Sequence, residues 1–271
     1  MTVANPFTFL ISEPANVYHA KSRQYLSSHK LADFRRCPLL YRRKQLGLIE
    51  DVDRPAYLVG RAAHALILEG RTRFDAEYAV GGPINEKTGK PYGANTKAFS
   101  EWSAAQGKDV LTDEQAVVVE QMYASVCGHD RAASLLEDGV AEGVVRTRHL
   151  DVECQVRPDW MTIVGGHGAI VDLKTCDDLD WFEADARRYG YVHQLAFYRS
   201  VIWQVTDELL PIHLIAVEKK EPFRTGVWIV GQDILAIAQQ DNENAMKRLR
   251  QCVQTDHWPT GYEEVRVFDH L

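Results

Sequence analysis

The 271 residues include only five cysteines, Cys37, Cys127, Cys154, Cys176 and Cys252, and no two of them form a CxxC pair. An odd, scattered set fits neither a disulfide framework nor a zinc knuckle. No run of about eighteen apolar residues occurs, so no membrane partner is expected. Met1 to Leu10 lack the basic head and long apolar core of a secretion signal, and the expected location is the reducing cytoplasm. Internal repeats and low-complexity tracts are missing, which excludes solenoids and arrays. What remains is 45% apolar, 25% charged and 10% aromatic residues. That composition excludes disorder, collagen and coiled coil as the main architecture.

Basic charge is also scarce overall, with a net charge of -7, but it is unevenly spread. Residues 1–50 carry eight Lys and Arg against three acids, a local +5, which leaves -12 for the other 221 residues. A basic segment on an acidic body suits a polyanion touched on one face, and it equally suits a solvated helix.

The periodicity predicts a helix over 28–46 that starts at Ser27 or Ser28 and bends at Pro38. A second covers 56–69 and ends at Gly70. Gly81–Asn95 reads as a loop. Thr112 caps a helix through about His129, and a short helical piece follows at 131–138. Stretches 140–149, 152–160 and 168–174 read as consecutive strands. A long helix at 180–204, mildly interrupted by Gly190, leads to strands 212–218 and 225–230 and a last helix near 232–254. The expected fold class is α/β or α+β, with a mixed central sheet flanked by helices. No linker is evident, so one domain is expected: a helical N-terminal region over residues 1–138, a catalytic sheet core over 139–254 and a tail over 255–271.

Chemistry concentrates in Arg157-Pro158-Asp159-Trp160, Val164-Gly165-Gly166-His167-Gly168 and Ile170-Val171-Asp172-Leu173-Lys174-Thr175. If the chain reverses between Gly165 and Gly166, cross-strand partners have numbers summing to 331. Asp159 and Asp172 then lie opposite each other on one face, with Cβ atoms about 4.5–5.5 Å apart. Alternation puts Lys174 on that face, and sends the Leu173 side chain to the other while its carbonyl stays near the acids. Two opposed carboxylates repel unless a cation joins them, and hard oxygen donors suit Mg²⁺, with Mn²⁺ as a substitute. A lysine beside such an ion can position or deprotonate a water that attacks phosphorus. The competing reading is a surface salt bridge between Asp172 and Lys174.

Gln194 and Tyr198 share one helical face and can donate to phosphate or to water. His64 sits among small residues in Gly60-Arg61-Ala62-Ala63-His64-Ala65-Leu66, where another backbone can approach and the ring can supply nitrogen to a metal. Glu142 is a further candidate carboxylate.

Together these residues resemble the PD-(D/E)XK nuclease superfamily, in which an acid, a D/E-x-K strand and a Q-x-x-x-Y helix build one site. Pro158-Asp159, Asp172-Leu173-Lys174 and Gln194…Tyr198 match in order and spacing, with aspartate in place of the commoner glutamate at 172. The string from Leu31 to Tyr41 looks like the opening motif of RecB-type nuclease domains, and Gly60 to Leu66 like their histidine helix. The nearest likeness is to RecE-type (exonuclease VIII-like) exonucleases of prophages, including the Val217-Glu218-Lys219 strand, over roughly residues 28–230.

The resemblance implies a Mg²⁺-dependent exonuclease that resects linear double-stranded DNA from its ends. It also implies a ring-shaped homo-oligomer and a single-strand annealing recombinase as partner. By position, Asp159, Asp172 and the Leu173 carbonyl would hold metal, with His64 and Glu142 completing the shell. Lys174 would activate water, and Gln194 and Tyr198 would orient Lys174 or the phosphate. Arg35, Arg36, Arg42 and Arg43 would meet DNA phosphates. Iron–sulfur members of the superfamily have a close group of three cysteines near the C-terminus. Only Cys252 lies there, so no iron–sulfur cluster is expected, and Cys37 is expected to be a buried small hydrophobe. A structure- or site-specific endonuclease, or a non-catalytic DNA-binding or assembly protein of this fold, would fit the same motifs.

Overall fold

The computed structural model describes residues 7–50 and 55–268. The first six residues, on which the leader expectation partly rests, lie outside that range, as do the last three of the expected tail. Helices α1 (Ala15–Ala20), α2 (Ser28–Arg36), α3 (Pro38–Gln45), α4 (Pro55–His64) and α5 (Arg71–Glu77) lead to strand β1 (Tyr78–Val80). Then come α6 (Lys97–Gln106), β2 (Asp109–Leu111), α7 (Asp113–Gly128) and α8 (Asp130–Leu136). Strands β3 (Gly139–Ala141), β4 (Val145–His149), β5 (Val152–Val156), β6 (Trp160–Val164) and β7 (His167–Cys176) follow in succession. Helices α9 (Phe182–Tyr189) and α10 (Tyr191–Thr206), strands β8 (Ile212–Glu218) and β9 (Thr225–Ile229), and α11 (Gln232–Thr255) complete the fold.

The main sheet has the order β3-β6-β7-β8-β9. It is mixed: β7 runs parallel to β8, and the other neighbours are antiparallel. Each face is apolar and carries helices. Val171, Leu173, Ile215 and Val217 pack with residues of α4, α7 and α8, whereas Ile170, Ile212, Leu214 and Ala216 pack with α2, α10 and α11. This alternation along β7 and β8 is what a sheet covered on both faces requires.

Several elements are shorter than their sequence patterns. The 28–46 helix is two helices, because Cys37 is extended (φ -164°) and caps α3, its Sγ accepting from Leu40 N–H. Cys37 is therefore a half-buried cap, not a buried hydrophobe. Stretch 140–149 is split at Glu142 (φ 56°), so β3 joins the main sheet while β4 pairs with β5 in a separate hairpin. Stretch 152–160 splits for a similar reason, as Pro158 has no N–H to continue a ladder. The 180–204 helix breaks fully at Gly190 (φ 73°). The small parallel pair β1–β2 has no counterpart in the sequence reading. Its strands are only three residues long, too short for a periodic signal.

Candidate metal and phosphodiester site

The β6–β7 hairpin turns at Gly165 and Gly166, both with positive φ (60° and 85°). Its pairs, from Trp160↔Val171 to Val164↔His167, all sum to 331, the register expected from the sequence. The ladder stops one pair short of the acids. Asp159 leaves it and accepts the Leu173 N–H on Oδ2 at 2.9 Å, which ties its carboxylate to β7. Its backbone carbonyl takes the Glu142 N–H at 3.0 Å, so the break between β3 and β4 is pinned beside Asp159.

Helix α4 brings His64 to this point. Gly60 lets it cross β7 closely, since a Cβ there would lie 3.4 Å from Thr175 Oγ1, and Ala62 and Ala63 are fully buried. One wide helical turn, Ala65–Glu69, follows His64. His64 Nδ1 lies 3.7 Å from Asp159 Oδ2. One ligand atom each from His64, Glu142 and Asp159 lie within 4.8 Å of one another. Glu142 Oε2 also pairs with Arg157 Nε at 2.9 Å.

Asp172 is the deepest member, with no exposed surface. Lys174 Nζ pairs with its Oδ2, and its Oδ1 has no hydrogen-bond partner. Lys174 in turn lies 5.1 Å from the centroid of the Tyr191 ring. On α10, Gln194 Nε2 donates to the Tyr198 hydroxyl at 2.9 Å, and Tyr198 is buried close enough to feel the charges of Asp172 and Asp159.

Burial, then the neighbouring charge of Asp159, pushes the Asp172 carboxyl up to about 6, against the opposing pull of Lys174. Burial and Asp159 together push Glu142 up to about 8. Burial, then Lys174, lowers His64 to about 4, leaving a neutral ring with a free nitrogen lone pair at neutral pH. Burial alone would lower Lys174, but Asp172 and Asp159 outweigh it, so the lysine is raised and held as an ammonium.

The donor set fits a divalent cation. Two carboxylates and one nitrogen, from Glu142, Asp159 and His64, lie close enough to share an ion; Asp172 stands outside that group, paired with Lys174, and keeps an unsatisfied oxygen that neither a protein donor nor exposure to solvent relieves. Buried acids are otherwise paired, and an orphaned one is costly.

The four arginines divide. Arg35 Nη1 donates to Asn242 Oδ1 at 2.7 Å, and Arg42 lies over the Trp258 ring at 5.1 Å and near Asp256 at 3.6 Å. Both therefore have structural contacts. Arg36 and Arg43 are exposed and make no ion pair among the described residues.

Arg157 and Tyr191 had no role in the sequence reading. Tyr191, Gln194 and Tyr198 recur at i, i+3 and i+7, one stripe of a helix, and that spacing was the available signal. Arg157 stands in the Arg-Pro-Asp string, but nothing local points it at Glu142.

A family model described as a PDDEXK-like domain of unknown function (DUF3799) matches residues 27–270. The chain belongs to this family. A similar fold appears in a solved structure described as a "Putative exonuclease" from Eubacterium rectale. The two are 17% identical, with 96% of this chain and 97% of the other covered and a TM-score of 0.66; at that identity the likeness is one of fold. A second structure, SSO0001, is 12% identical over 86% of this chain and 80% of the other, and its TM-score of 0.35 carries no argument. No curated protein matches. No helix among the described residues is long and apolar enough to cross a membrane.

Proposed function

We propose that the protein is a divalent-metal-dependent exodeoxyribonuclease that degrades linear duplex DNA from its ends and exposes single strand for recombination. The family supports a nuclease, and the observation that carries the site assignment is the wholly buried, half-satisfied Asp172 between Lys174 and Asp159. Asp159, Asp172, Glu142, His64 and the Leu173 carbonyl would hold the ion, with Mg²⁺ favoured by the oxygen-rich set and Mn²⁺ able to replace it. A bound ion would neutralise charge at the scissile phosphate and supply an acidified water.

The chain's own residues do the rest. Lys174 Nζ, fixed by Asp172 and by the Tyr191 ring, donates to the attacking water or to a nonbridging phosphoryl oxygen as charge builds there. Gln194 and Tyr198 form one hydrogen-bonded unit behind it, and the burial of Tyr198 limits stray water on that side. Arg36 and Arg43 meet backbone phosphates, while Arg35 and Arg42 mainly shape the surface. We read the chain as one nuclease domain. The RecE-type motifs extend the reading to a cytoplasmic, ring-shaped homo-oligomer that hands its product to a single-strand annealing recombinase.

The test compares linear and covalently closed circular duplex DNA, in Mg²⁺ and in EDTA, with the wild type and Lys174→Ala. Loss of linear DNA alone, only with Mg²⁺ and Lys174, is expected. Cutting of the circle would replace this reading with an endonuclease. Binding without cutting of either would leave an assembly protein.

A further inference from the structure

From Lys174 a line of aromatic and cationic groups runs out of the site to solvent. Its first member is the Tyr191 ring, 5.1 Å from Lys174 Nζ. Next is Tyr189, whose ring centroid lies 6.0 Å from that of Tyr191 at an interplanar angle of 33°. Arg188 follows, with its guanidinium 5.6 Å from the Tyr189 ring.

The two rings meet because Gly190 sits between them in a left-handed conformation, ending α9 and starting α10. A helix that ran straight through would place residues 189 and 191 about 200° apart and could not bring their rings together. Arg35 closes the flank, since its Nη2 would lie 3.5 Å from a Cβ at Gly190. Tyr191 also packs on Phe182, which anchors the inner ring. The outer ring is different: Tyr189 keeps 60% of its surface exposed. A core role explains Tyr191, but not a large aromatic side chain left in water beside Arg188.

Exposed aromatic rings flanked by arginine are how proteins hold unpaired nucleobases. Every base has a π-face, and the cation serves both the ring and the adjoining phosphate. A paired, stacked base inside a duplex offers no free face, so such a surface selects strand that is already single or frayed. We propose that Tyr189 and Tyr191, flanked by Arg188 and Arg35, form a stacking platform for an unpaired nucleobase of the DNA strand adjoining the scissile phosphate. The enzyme then acts on an end whose terminal bases have come apart. This rests on the nuclease reading of the site and adds the strand state that the site accepts. Acids on the same helix, Glu183 and Asp185, bound the platform and would repel a phosphate path along α9 beyond Tyr189.

The test uses a short duplex with a single-stranded tail carrying 2-aminopurine, whose fluorescence falls when it stacks. The full chain is titrated in Ca²⁺, with a phosphorothioate backbone to block cleavage. Wild type is expected to quench the tail probe and to bind tailed duplex more tightly than blunt duplex. Tyr189→Ala should lose the quenching and the preference, with affinity for tailed DNA reduced on the order of ten-fold. Tyr189→Trp should retain both. Tyr262→Ala, which removes another exposed tyrosine distant in sequence, should change neither. Absence of quenching by wild type, or equal quenching by Tyr189→Ala, would overturn the platform.

A second arm measures hydrolysis of bis(p-nitrophenyl) phosphate, which has no nucleobase, in Mg²⁺. Tyr189→Ala should leave this rate unchanged while raising KM for tailed DNA. A loss of both in equal measure would assign Tyr189 to the structure of the site and overturn the platform. Hydrolysis of no diester by wild type would sink the nuclease reading, while the quenching measurement would still judge the platform by itself.

Discussion

Two carboxylates lie buried on neighbouring strands of one sheet, and they live in opposite circumstances. Glu218, at the end of β8, is 1% exposed and is met by the Leu179 N–H at 2.9 Å, the Arg224 N–H at 3.2 Å, Arg224 Nε at 3.0 Å and Arg224 Nη2 at 2.7 Å. Its hydrogen bonds to Arg224 lower it to about 2, despite the opposing effect of burial. Asp172, on β7, is equally buried, keeps one oxygen without a partner and is raised to about 6. Both are buried acids in strands that end near charged side chains. The two differ in the unmet demand of Asp172, which marks it, and not Glu218, as the candidate for a functional role.

The sharpest way to break this comparison is to remove the cation beside Asp172. Lys174→Ala should lower DNA hydrolysis by about 10²–10⁴-fold in single-turnover assays while the protein still unfolds cooperatively. If hydrolysis survives, Lys174 is not at the reacting phosphate.

The next contrast neutralises each acid. Glu218→Gln should cost about 2 kcal/mol in denaturant unfolding, since it weakens four charge-assisted hydrogen bonds. Asp172→Asn should change stability by less than about 1 kcal/mol, because it also removes a repelled buried charge, yet it should abolish hydrolysis. Equal destabilisation by both variants would erase the distinction drawn between them.

Ligand linkage sharpens the same point. At a Mg²⁺ concentration about a hundred times the dissociation constant, the wild type should gain about 2.7 kcal/mol, read as a rise in Tm. Asp172→Asn should gain clearly less, and Glu218→Gln should gain as much as the wild type. No Mg²⁺-dependent rise in Tm for the wild type would remove the metal from this cleft.

The acid limb belongs to Glu218. A folded-state value lowered to about 2 from an ordinary 4.5 means its contribution is complete above 4.5 and is lost as pH falls from 4.5 towards 2. The wild type should therefore lose more stability over that window than Glu218→Gln does. Smallest of all is the expected effect of Arg36→Ala: DNA affinity falls a few-fold and the salt slope shrinks by about one, with Tm unchanged. Arg35→Ala should instead lower Tm, through the lost bond to Asn242.

Much of the site could be read in one dimension. The hairpin register followed from two adjacent glycines and from strict alternation, so Asp159, Asp172 and Lys174 could be brought together by counting residues. Gln194 and Tyr198 followed from helical spacing, and the observed hydrogen bond between them uses that spacing. Glu142 and His64 were named only as candidates. Their meeting with Asp159 depends on the break at Glu142 and on how closely Gly60 lets α4 cross β7. Charge on the first helices was visible, but its division was not: Arg35 and Arg42 face Asn242 and Trp258, from the far end of the chain.

By itself the sequence determined the strands and helices around the main sheet, the mixed α/β architecture and the hairpin register that brings Asp159 near Asp172 and Lys174, because these depend on periods of two and 3.6 residues and on a single tight turn. Tertiary structure decided where strands stop, how deep Asp172 lies, which acid Arg157 meets and that Tyr189 stands beside Tyr191 in the open. Those depend on packing between segments far apart in the chain and on backbone breaks at Glu142 and Gly190, which local periodicity does not encode.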